Sequence, residues 1–163
     1  MIQLRPMTPA EFETWLAASI QTYADEKVRA GAYAAANAIE RSTQDHQHLL
    51  PQGLATPDNY LYHIVAIPEP AGTSMVVGVT WLAVPPWQPP MTFIYDIEIY
   101  PEHRRHGYAS QALAALEDKT RALGLGTIAL HVFGHNHAAR ALYEKLGYEI
   151  TDLQMVKKVR PTP

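Results

Sequence analysis

A chain of 163 residues with 47% hydrophobic side chains predicts one compact domain over residues 1–163. The absence of cysteine excludes disulfides and cysteine-ligated zinc, and the formal net charge of −3 argues against a nucleic-acid partner. No apolar stretch is long enough to cross a bilayer and no leader opens the chain, so we expect a cytoplasmic protein without a membrane partner.

The first third of the chain predicts two helices. Thr8, Pro9 and Glu11 form a helix start, because a capping hydroxyl is followed by proline and, three residues after the cap, by glutamate. Apolar residues keep a helical period over the next three turns, and Gly31 ends the helix. A second helix is predicted between Ala32 and Leu50, before a loop rich in proline and glycine.

The middle of the chain predicts strands. The segments Leu61 to Ile67 and Met75 to Val84 are rich in β-branched residues, and a turn at residues 68–72 makes them a hairpin. Four prolines between residues 85 and 90 cannot donate ladder hydrogen bonds and so predict a loop. The next strand runs from Thr92 to Tyr100.

The last third alternates helices and strands. A helical period from Ala109 to Leu123 ends at Gly124 in a left-handed cap. The segment Thr127 to Phe133 predicts a strand, Asn136 caps a short helix, and a final strand is predicted from Tyr148 to Val159. The order β, helices, β-β-β, α, β, α, β predicts a mixed α/β fold.

The step from strand into helix near Gly107 has the features of an anion site. A helix N-terminus presents unpaired N–H groups and about half a positive charge, which together suit a pyrophosphate. Gly107 lets the backbone approach an anion without a Cβ, and Arg104 and Arg105 add charge-assisted hydrogen bonds. From the residues alone, an ordinary solvated helix start with two surface arginines stays open as the alternative.

Two runs in this half resemble the acetyl-CoA signatures of the GNAT superfamily of N-acetyltransferases. The run from Arg104 to Ala109 is similar to the family's Arg/Gln-x-x-Gly-x-Gly/Ala, and the run from His135 to Tyr148 is similar to its second motif, Asn followed by Leu-Tyr-x-x-x-Gly-Phe/Tyr. Residues 23–28 and 49–54 also resemble small bacterial members of undefined substrate. Arg105 is a departure, since many members carry glycine there.

The resemblance implies one GNAT domain over residues 1–163, of α/β (α+β) class, with a mixed, mostly antiparallel sheet of six to seven strands flanked by helices. It implies acetyl-CoA as cosubstrate, no metal, and a small-molecule or peptide amine as acceptor, in a monomer or homodimer. Tyr143 takes the family position beside the CoA sulfur, where its hydroxyl protonates the departing thiolate. The residues assigned to acetyl-CoA are Ile97, Ile99, Arg104, Arg105, His106, Gly107, Tyr108, Ala109, Asn136, Ala139 and Tyr143.

Acetyl transfer to an amine needs a proton acceptor. A lysine-type amine has a pKa of about 10.4 and is almost fully protonated at pH 7, whereas attack on a thioester needs the neutral form. His131 is the preferred acceptor, because some family members place a histidine or glutamate at this strand position and the histidine pKa suits the task. A structural role for His131 and water relays to Glu98 or Glu26 stay open.

Strand alternation bears on the two acidic residues of the same region. If Ile97 lies beside the pantetheine arm, alternation places Phe93 and Tyr95 on its face. Asp96 and Glu98 then point to the other side of the sheet. Parity therefore predicts that neither carboxylate faces the thioester.

The acceptor pocket is expected among the variable parts of the chain. An acidic side chain attracts an ammonium group, and aromatic rings hold one by cation–π contact. Each candidate also has a plain structural interpretation. The candidates are Tyr23, Glu26, Trp81 and Tyr95, with Lys27, Leu54 and Trp87 nearby.

Two other functions are weighed against the transferase. Clustered histidines indicate a metal protein, but no carboxylate completes a zinc pattern with them. A non-catalytic acyl-CoA-binding sensor or interaction module is the second alternative, because the same fold serves both uses. The clustered histidines are His103, His106, His131, His135 and His137.

Overall fold

The computed structural model describes residues 1–68, 72–157 and 159, and these residues form five strands and four helices. The strands are β1 (Ile2–Pro6), β2 (Asn59–Ala66), β3 (Met75–Ala83), β4 (Thr92–Ile99) and β5 (Ile128–Leu130). The helices are α1 (Pro9–Arg29), α2 (Ala38–Leu49), α3 (Tyr108–Ala122) and α4 (His137–Lys145), with short 3₁₀ turns at Ala35–Asn37, Gly53–Ala55 and Pro101–His103.

The strands form one sheet in the order β1-β2-β3-β4-β5. The first three pairs are antiparallel and β4 pairs with β5 in parallel, so the predicted mixed, mostly antiparallel α/β sheet is confirmed. The predicted β2–β3 hairpin is also present, although residues 69–71 of its turn lie outside the described residues. Within the described ranges, no helix is both long and apolar enough to span a bilayer.

The described residues contain five strands where six to seven were expected. The strand predicted at Thr127 to Phe133 is shortened to Ile128–Leu130, the part of this segment that pairs with β4. The strand predicted at Tyr148 to Val159 is wrong for residues 148–157, which form none, while Lys158 lies outside the description. A three-residue β5 offers little edge for another strand, and Leu153 and Val156 are 68% and 83% exposed.

The predicted start of α1 is confirmed in detail. Glu11 N–H donates to the Thr8 hydroxyl at 3.4 Å, and Thr8 N–H donates to the Glu11 carboxylate at 2.8 Å, which makes a reciprocal capping box. Arg5 on β1 donates to the same carboxylate at 2.8 Å. These contacts fix α1 against the edge of the sheet. The second helix begins at Ala38, later than predicted, after a 3₁₀ turn.

The helices cover both faces of the sheet. On one face α1 packs through Phe12 and Trp15 against Val79 and Trp81 of β3. On the other face α3 buries Leu113 and Leu116 against Leu82 and Ile94, and α4 packs beside them. The buried apolar side chains on the two faces hold the sheet between the two helical layers.

Candidate active site

A cavity of about 860 Å³ lies between the α1–α2 layer and the carboxyl ends of β4 and β5. Its walls combine aromatic rings with titratable groups, which is typical of a ligand site. The lining includes Trp15, Ser19, Tyr23, Glu26, Lys27, His46, Trp81, Tyr95, Asp96, Glu98, His131, Asn136 and Tyr143.

The gap between β4 and β5 opens into this cavity. β5 pairs with β4 only from Thr92 to Ile94, and residues 131–133 leave the ladder. The β5-facing edge of β4 therefore has no strand partner, among the described residues, from Tyr95 to Ile99, although the Ile99 carbonyl accepts a hydrogen bond from Arg104 Nε. Such an edge offers backbone N–H and C=O groups to an extended ligand.

A bulge in β4 overturns the predicted parity of its side chains. Trp81 of β3 pairs with Asp96, whereas Leu82 pairs with Ile94, so Tyr95 is an extra residue. The bulge shifts the alternation by one position. Ile94 and Ile97 therefore both pack on the α3 side of the sheet.

The consequence is that the carboxylates face the cavity. Tyr95, Asp96 and Glu98 all line it, and Tyr95 packs against the α1-side cluster. The prediction that Phe93 and Tyr95 share a face with Ile97 is wrong, and the parity argument against Asp96 and Glu98 fails with it. In a regular β-strand, Tyr95 would lie on one face of the sheet, and Asp96 and Glu98 would lie on the other.

The N-terminus of α3 has the backbone geometry of an anion cradle. Gly107 is the N-cap at φ 76°, a left-handed conformation that favours glycine. Among the described carbonyls, none accepts from the N–H groups of Tyr108, Ala109 or Ser110. Arg105 also lies at φ 66°, so the position where family members carry glycine has a glycine-like backbone here.

Two side chains of this loop, Arg104 and His106, contact other parts of the protein. Arg104 Nε donates to the carbonyl of Ile99 at 2.8 Å, and its Nη2 donates to Glu98 at 3.4 Å. The His106 ring stacks on Tyr108 with centroids 5.6 Å apart. Arg104 therefore ties the loop to the end of β4, while Arg105 is exposed.

Helix α4 carries the second motif to the cavity. Asn136 caps the helix by accepting from the Ala139 N–H at 3.2 Å, which confirms the predicted cap. The capping contact uses the Asn136 oxygen and leaves its amide N–H groups as donors. Tyr143, two turns later, lines the same cavity, and burial followed by the charge of Asp96 raises its pKa.

His131 follows β5 directly and lines the cavity. Burial, and then the positive charge of Lys27, lower the pKa of His131 below its ordinary value of 6.5. A lowered pKa keeps the imidazole neutral at pH 7, which is the form that accepts a proton. The Phe133 ring meets the His131 ring edge-on at 5.2 Å between centroids.

Asp96 is the most deeply placed carboxyl of the site. Trp15 on α1 donates its indole N–H to Asp96 at 3.0 Å. Burial raises the pKa of Asp96, and burial followed by the charge of Asp96 raises the pKa of Glu98. Both carboxyls therefore hold a proton more readily than exposed ones do.

The four residues predicted to bind the amine acceptor line the same cavity, and Glu26 already forms ion pairs with other side chains. Trp81 stacks on Tyr95 with centroids 4.6 Å apart, and Tyr23 lines the same wall. Glu26 contacts His135 at 2.5 Å and Arg29 at 3.5 Å. The Glu26–His135 pair links α1 to the loop before α4 across the mouth of the cavity.

Sequence reasoning missed three residues of the wall, namely Trp15, Ser19 and His46. His46 is buried, with Nε2 at 3.0 Å from the Ser19 hydroxyl and Nδ1 at 2.8 Å from the Ser42 carbonyl. Burial lowers the pKa of His46. The sequence signal for His46 was its helical spacing from Ala38 and Ser42, which lie on the buried face of α2.

The clustered histidines do not converge on one point. No group of three or more potential ligands gathers in the part of the chain that the structure describes. His135 instead contacts Glu26, and the His106 ring lies on Tyr108.

Known proteins are similar to this chain in sequence and in fold. The profile of the acetyltransferase (GNAT) family matches residues 21–148. The chain belongs to the GNAT acetyltransferase family. YycN of Bacillus subtilis (strain 168), named an uncharacterized N-acetyltransferase, is 40% identical over 97% of this GNAT chain and 99% of its own. YdgE of the same organism, which has the same description, is 34% identical over 96% and 97%.

Solved structures agree with the GNAT assignment. The crystal structure of YycN has a TM-score of 0.88 over 99% of this chain and 100% of its own. The aminoglycoside enzyme AAC(6')-Iy, solved with a CoA-containing bisubstrate analogue, has a TM-score of 0.60 over 99% of both chains at 16% identity. At that identity the likeness shows the GNAT fold alone.

Proposed function

We propose that this GNAT protein is a single-domain, cytoplasmic N-acetyltransferase that moves acetyl from acetyl-CoA to a primary amine by direct attack in a ternary complex. One observation carries the proposal. A single cavity joins the free edge of β4, Tyr143 and an aromatic wall on α1 and β3, while the bare amides of α3 lie beyond the end of β4. A thioester on one side of this cavity faces an amine on the other.

The residues present fit acetyl-CoA. The φ of 76° at Gly107 and the unpaired amides of the first turn of α3 suit a pyrophosphate, and the free edge of β4 near Ile97 and Ile99 suits the pantetheine arm. The side-chain amide of Asn136 can donate hydrogen bonds to the same arm. Acetyl-CoA supplies an activated acetyl thioester, and the chain binds and orients it.

His131 is our candidate for the group that takes the proton of the acceptor ammonium. It lines the cavity and its lowered pKa makes it a neutral base at pH 7. A positioned base contributes about 10²- to 10⁴-fold to the rate. His131→Ala should lower kcat by that factor and remove the acidic limb of the pH–rate profile.

Glu98 is the matched rival, because the bulge places it on the cavity wall and burial raises its pKa. Glu98→Gln keeps the shape and removes the charge. If His131 is the base, Glu98→Gln keeps the acidic limb that His131→Ala loses. The reverse pattern would assign the proton transfer to Glu98.

Tyr143 is our candidate for the acid that protonates the departing thiolate. Its raised pKa keeps the hydroxyl protonated at pH 7, so it has a proton to give. Tyr143→Phe should lower kcat while the affinity for acetyl-CoA stays within about threefold, because only the hydroxyl is lost. An unchanged kcat would remove Tyr143 from the chemistry.

The overall function is tested by binding and turnover together. Calorimetry with acetyl-CoA measures uptake, and thiol release with a panel of amines measures transfer. We expect both. Stabilisation by acetyl-CoA without turnover on any amine would favour the non-catalytic sensor, and the absence of uptake would end both proposals.

A further inference from the structure

The acceptor side of the cavity continues into a second cavity of about 470 Å³ between α1 and α2. Tyr23, Lys27, Asp45 and Leu49 line both cavities, so the two spaces adjoin. An acceptor whose amine enters the first space therefore has room for a second group in the other.

Two cations line this outer space. Lys27 Nζ lies 5.0 Å from the centroid of the Tyr23 ring and 5.5 Å from that of Tyr33, and Arg41 Cζ lies 4.0 Å from the Tyr33 centroid. Within the residues that the structure describes, neither cation has a carboxylate within 4 Å. Both are therefore available to an anion from outside the chain.

The nearby carboxylates already have partners. The Tyr33 hydroxyl donates to Asp45, and Glu26 contacts His135 and Arg29. Asp45 keeps its negative charge in this contact, so the lining of the outer space carries two cations against one carboxylate and is net positive, although the chain as a whole carries a net charge of −3. A purely cationic acceptor would place a second ammonium beside Lys27, where like charges repel.

Lys27 is also close to the proposed chemistry. Lys27 and His131 line the same cavity, and the charge of Lys27 contributes to the lowered pKa of His131. A group bound by Lys27 therefore shares this cavity with an amine that gives its proton to His131. That geometry selects for a second functional group on the same small acceptor.

We infer that Lys27 and Arg41 bind a carboxylate of the acceptor, so that the acceptor is an amine that carries a separate carboxylate group. This inference rests on the proposed function, since it concerns the acceptor of that same site. Each charge-assisted hydrogen bond that is well placed changes affinity by roughly ten- to hundredfold. Lys27 and Arg41 are then specificity-determining residues.

The test uses ω-amino acids, from glycine to 6-aminohexanoate, each paired with its carboxamide. The paired compounds have the same amine and nearly the same shape, and they differ in the anionic charge. Binding to the purified protein, with and without CoA, is measured by calorimetry, and transfer from acetyl-CoA is measured by thiol release. We expect at least one carboxylate to bind about tenfold or more tightly than its amide.

The variants Lys27→Met and Arg41→Met keep an unbranched apolar stem and remove the charge, so each should reduce the ratio of acid to amide affinity toward one. Lys119→Met is the matched control, because Lys119 lies 4.3 Å from the Tyr60 ring in a similar contact but lines neither cavity. The control should keep the preference of the wild-type protein.

The outcomes separate this inference from the proposed function. Equal binding of acids and amides, no binding of either, or a preference that survives Lys27→Met and Arg41→Met would overturn the inference even if amines are acetylated. A carboxylate preference that both variants lose would support it. Failure of acetyl-CoA uptake or of thiol release tests the proposed function alone.

Discussion

Gly107→Ala tests whether the backbone at the start of α3 binds acetyl-CoA. Gly107 has φ 76°, where an L-residue costs roughly 1 to 2 kcal/mol, partly offset by the lower entropy of alanine in the unfolded chain. A net loss of about 1 kcal/mol lowers Tm by roughly 2 to 4 °C for a chain of this size. The new Cβ has room in the protein itself, since its nearest neighbour is Gln111 Nε2 at 4.0 Å.

The cost to the ligand should be larger. A Cβ at residue 107 stands where a pyrophosphate approaches the amides of the first turn. Loss of one charge-assisted hydrogen bond is worth about 1.5 to 3 kcal/mol, or roughly ten- to hundredfold in Kd. Calorimetric titration with CoA measures this change, and a thermal melt of the same sample measures the stability.

Gly124→Ala is the matched control at the other end of the same helix. Gly124 also has φ 76°, and a Cβ there meets nothing within 4 Å. The two variants should lose similar stability, but only Gly107→Ala should lose affinity for CoA. If the affinity of Gly107→Ala for CoA stays within about threefold of wild type, or if Gly124→Ala loses as much affinity, the amides at the start of α3 do not bind the pyrophosphate.

The other predictions concern the stability of the sheet and of α1. Gly78→Ala places a Cβ 2.0 Å from the carbonyl oxygen of Glu98, a backbone atom that cannot yield without breaking the β3–β4 pairing. We expect a loss of about 3 kcal/mol and a Tm lower by roughly 6 to 12 °C in a thermal melt, and an unchanged Tm would contradict the register. The Arg5 guanidinium, with the contacts of Thr8, lowers the pKa of Glu11 from 4.5 to about 2. The ionised Glu11 carboxylate therefore stabilises the folded protein above pH 4.5, and this stabilisation is lost as the pH falls toward 2. Glu11→Gln should lower Tm at pH 7 and match the Tm of wild type near pH 2. Glu13→Gln, on the exposed side of the same turn, serves as the control. If the Tm difference between wild type and Glu11→Gln is the same at both pH values, the charge of Glu11 plays no part.

Local signals in the sequence predicted the local structure well. Thr8 and Glu11 predict a capping box and Asn136 predicts a helix cap, because each of these contacts joins residues three positions apart. Gly124 predicts a left-handed backbone at the end of α3 for a similar reason, since glycine tolerates it at little steric cost. The order of the elements and the two signature runs were enough to indicate the family.

Long-range pairing decided what the sequence left open. Regular alternation predicted that Asp96 faces away from the thioester, but the register with β3 inserts Tyr95 as a bulge and turns the carboxyl into the cavity. A bulge depends on the partner strand, so a single strand's pattern does not reveal it. The predicted strand from Tyr148 failed for the same reason, because it needed an edge that a three-residue β5 does not provide.

The sequence by itself determined the helix caps, the left-handed conformation at Gly124 and the family, because these depend on neighbours in the chain. Only the tertiary structure determined which side chains meet across the cavity, including Trp15 with Asp96 at 3.0 Å and Glu26 with His135 at 2.5 Å. Those partners lie 81 and 109 residues apart in sequence. Packing of α1 against the sheet brings them together, and no local pattern encodes that approach.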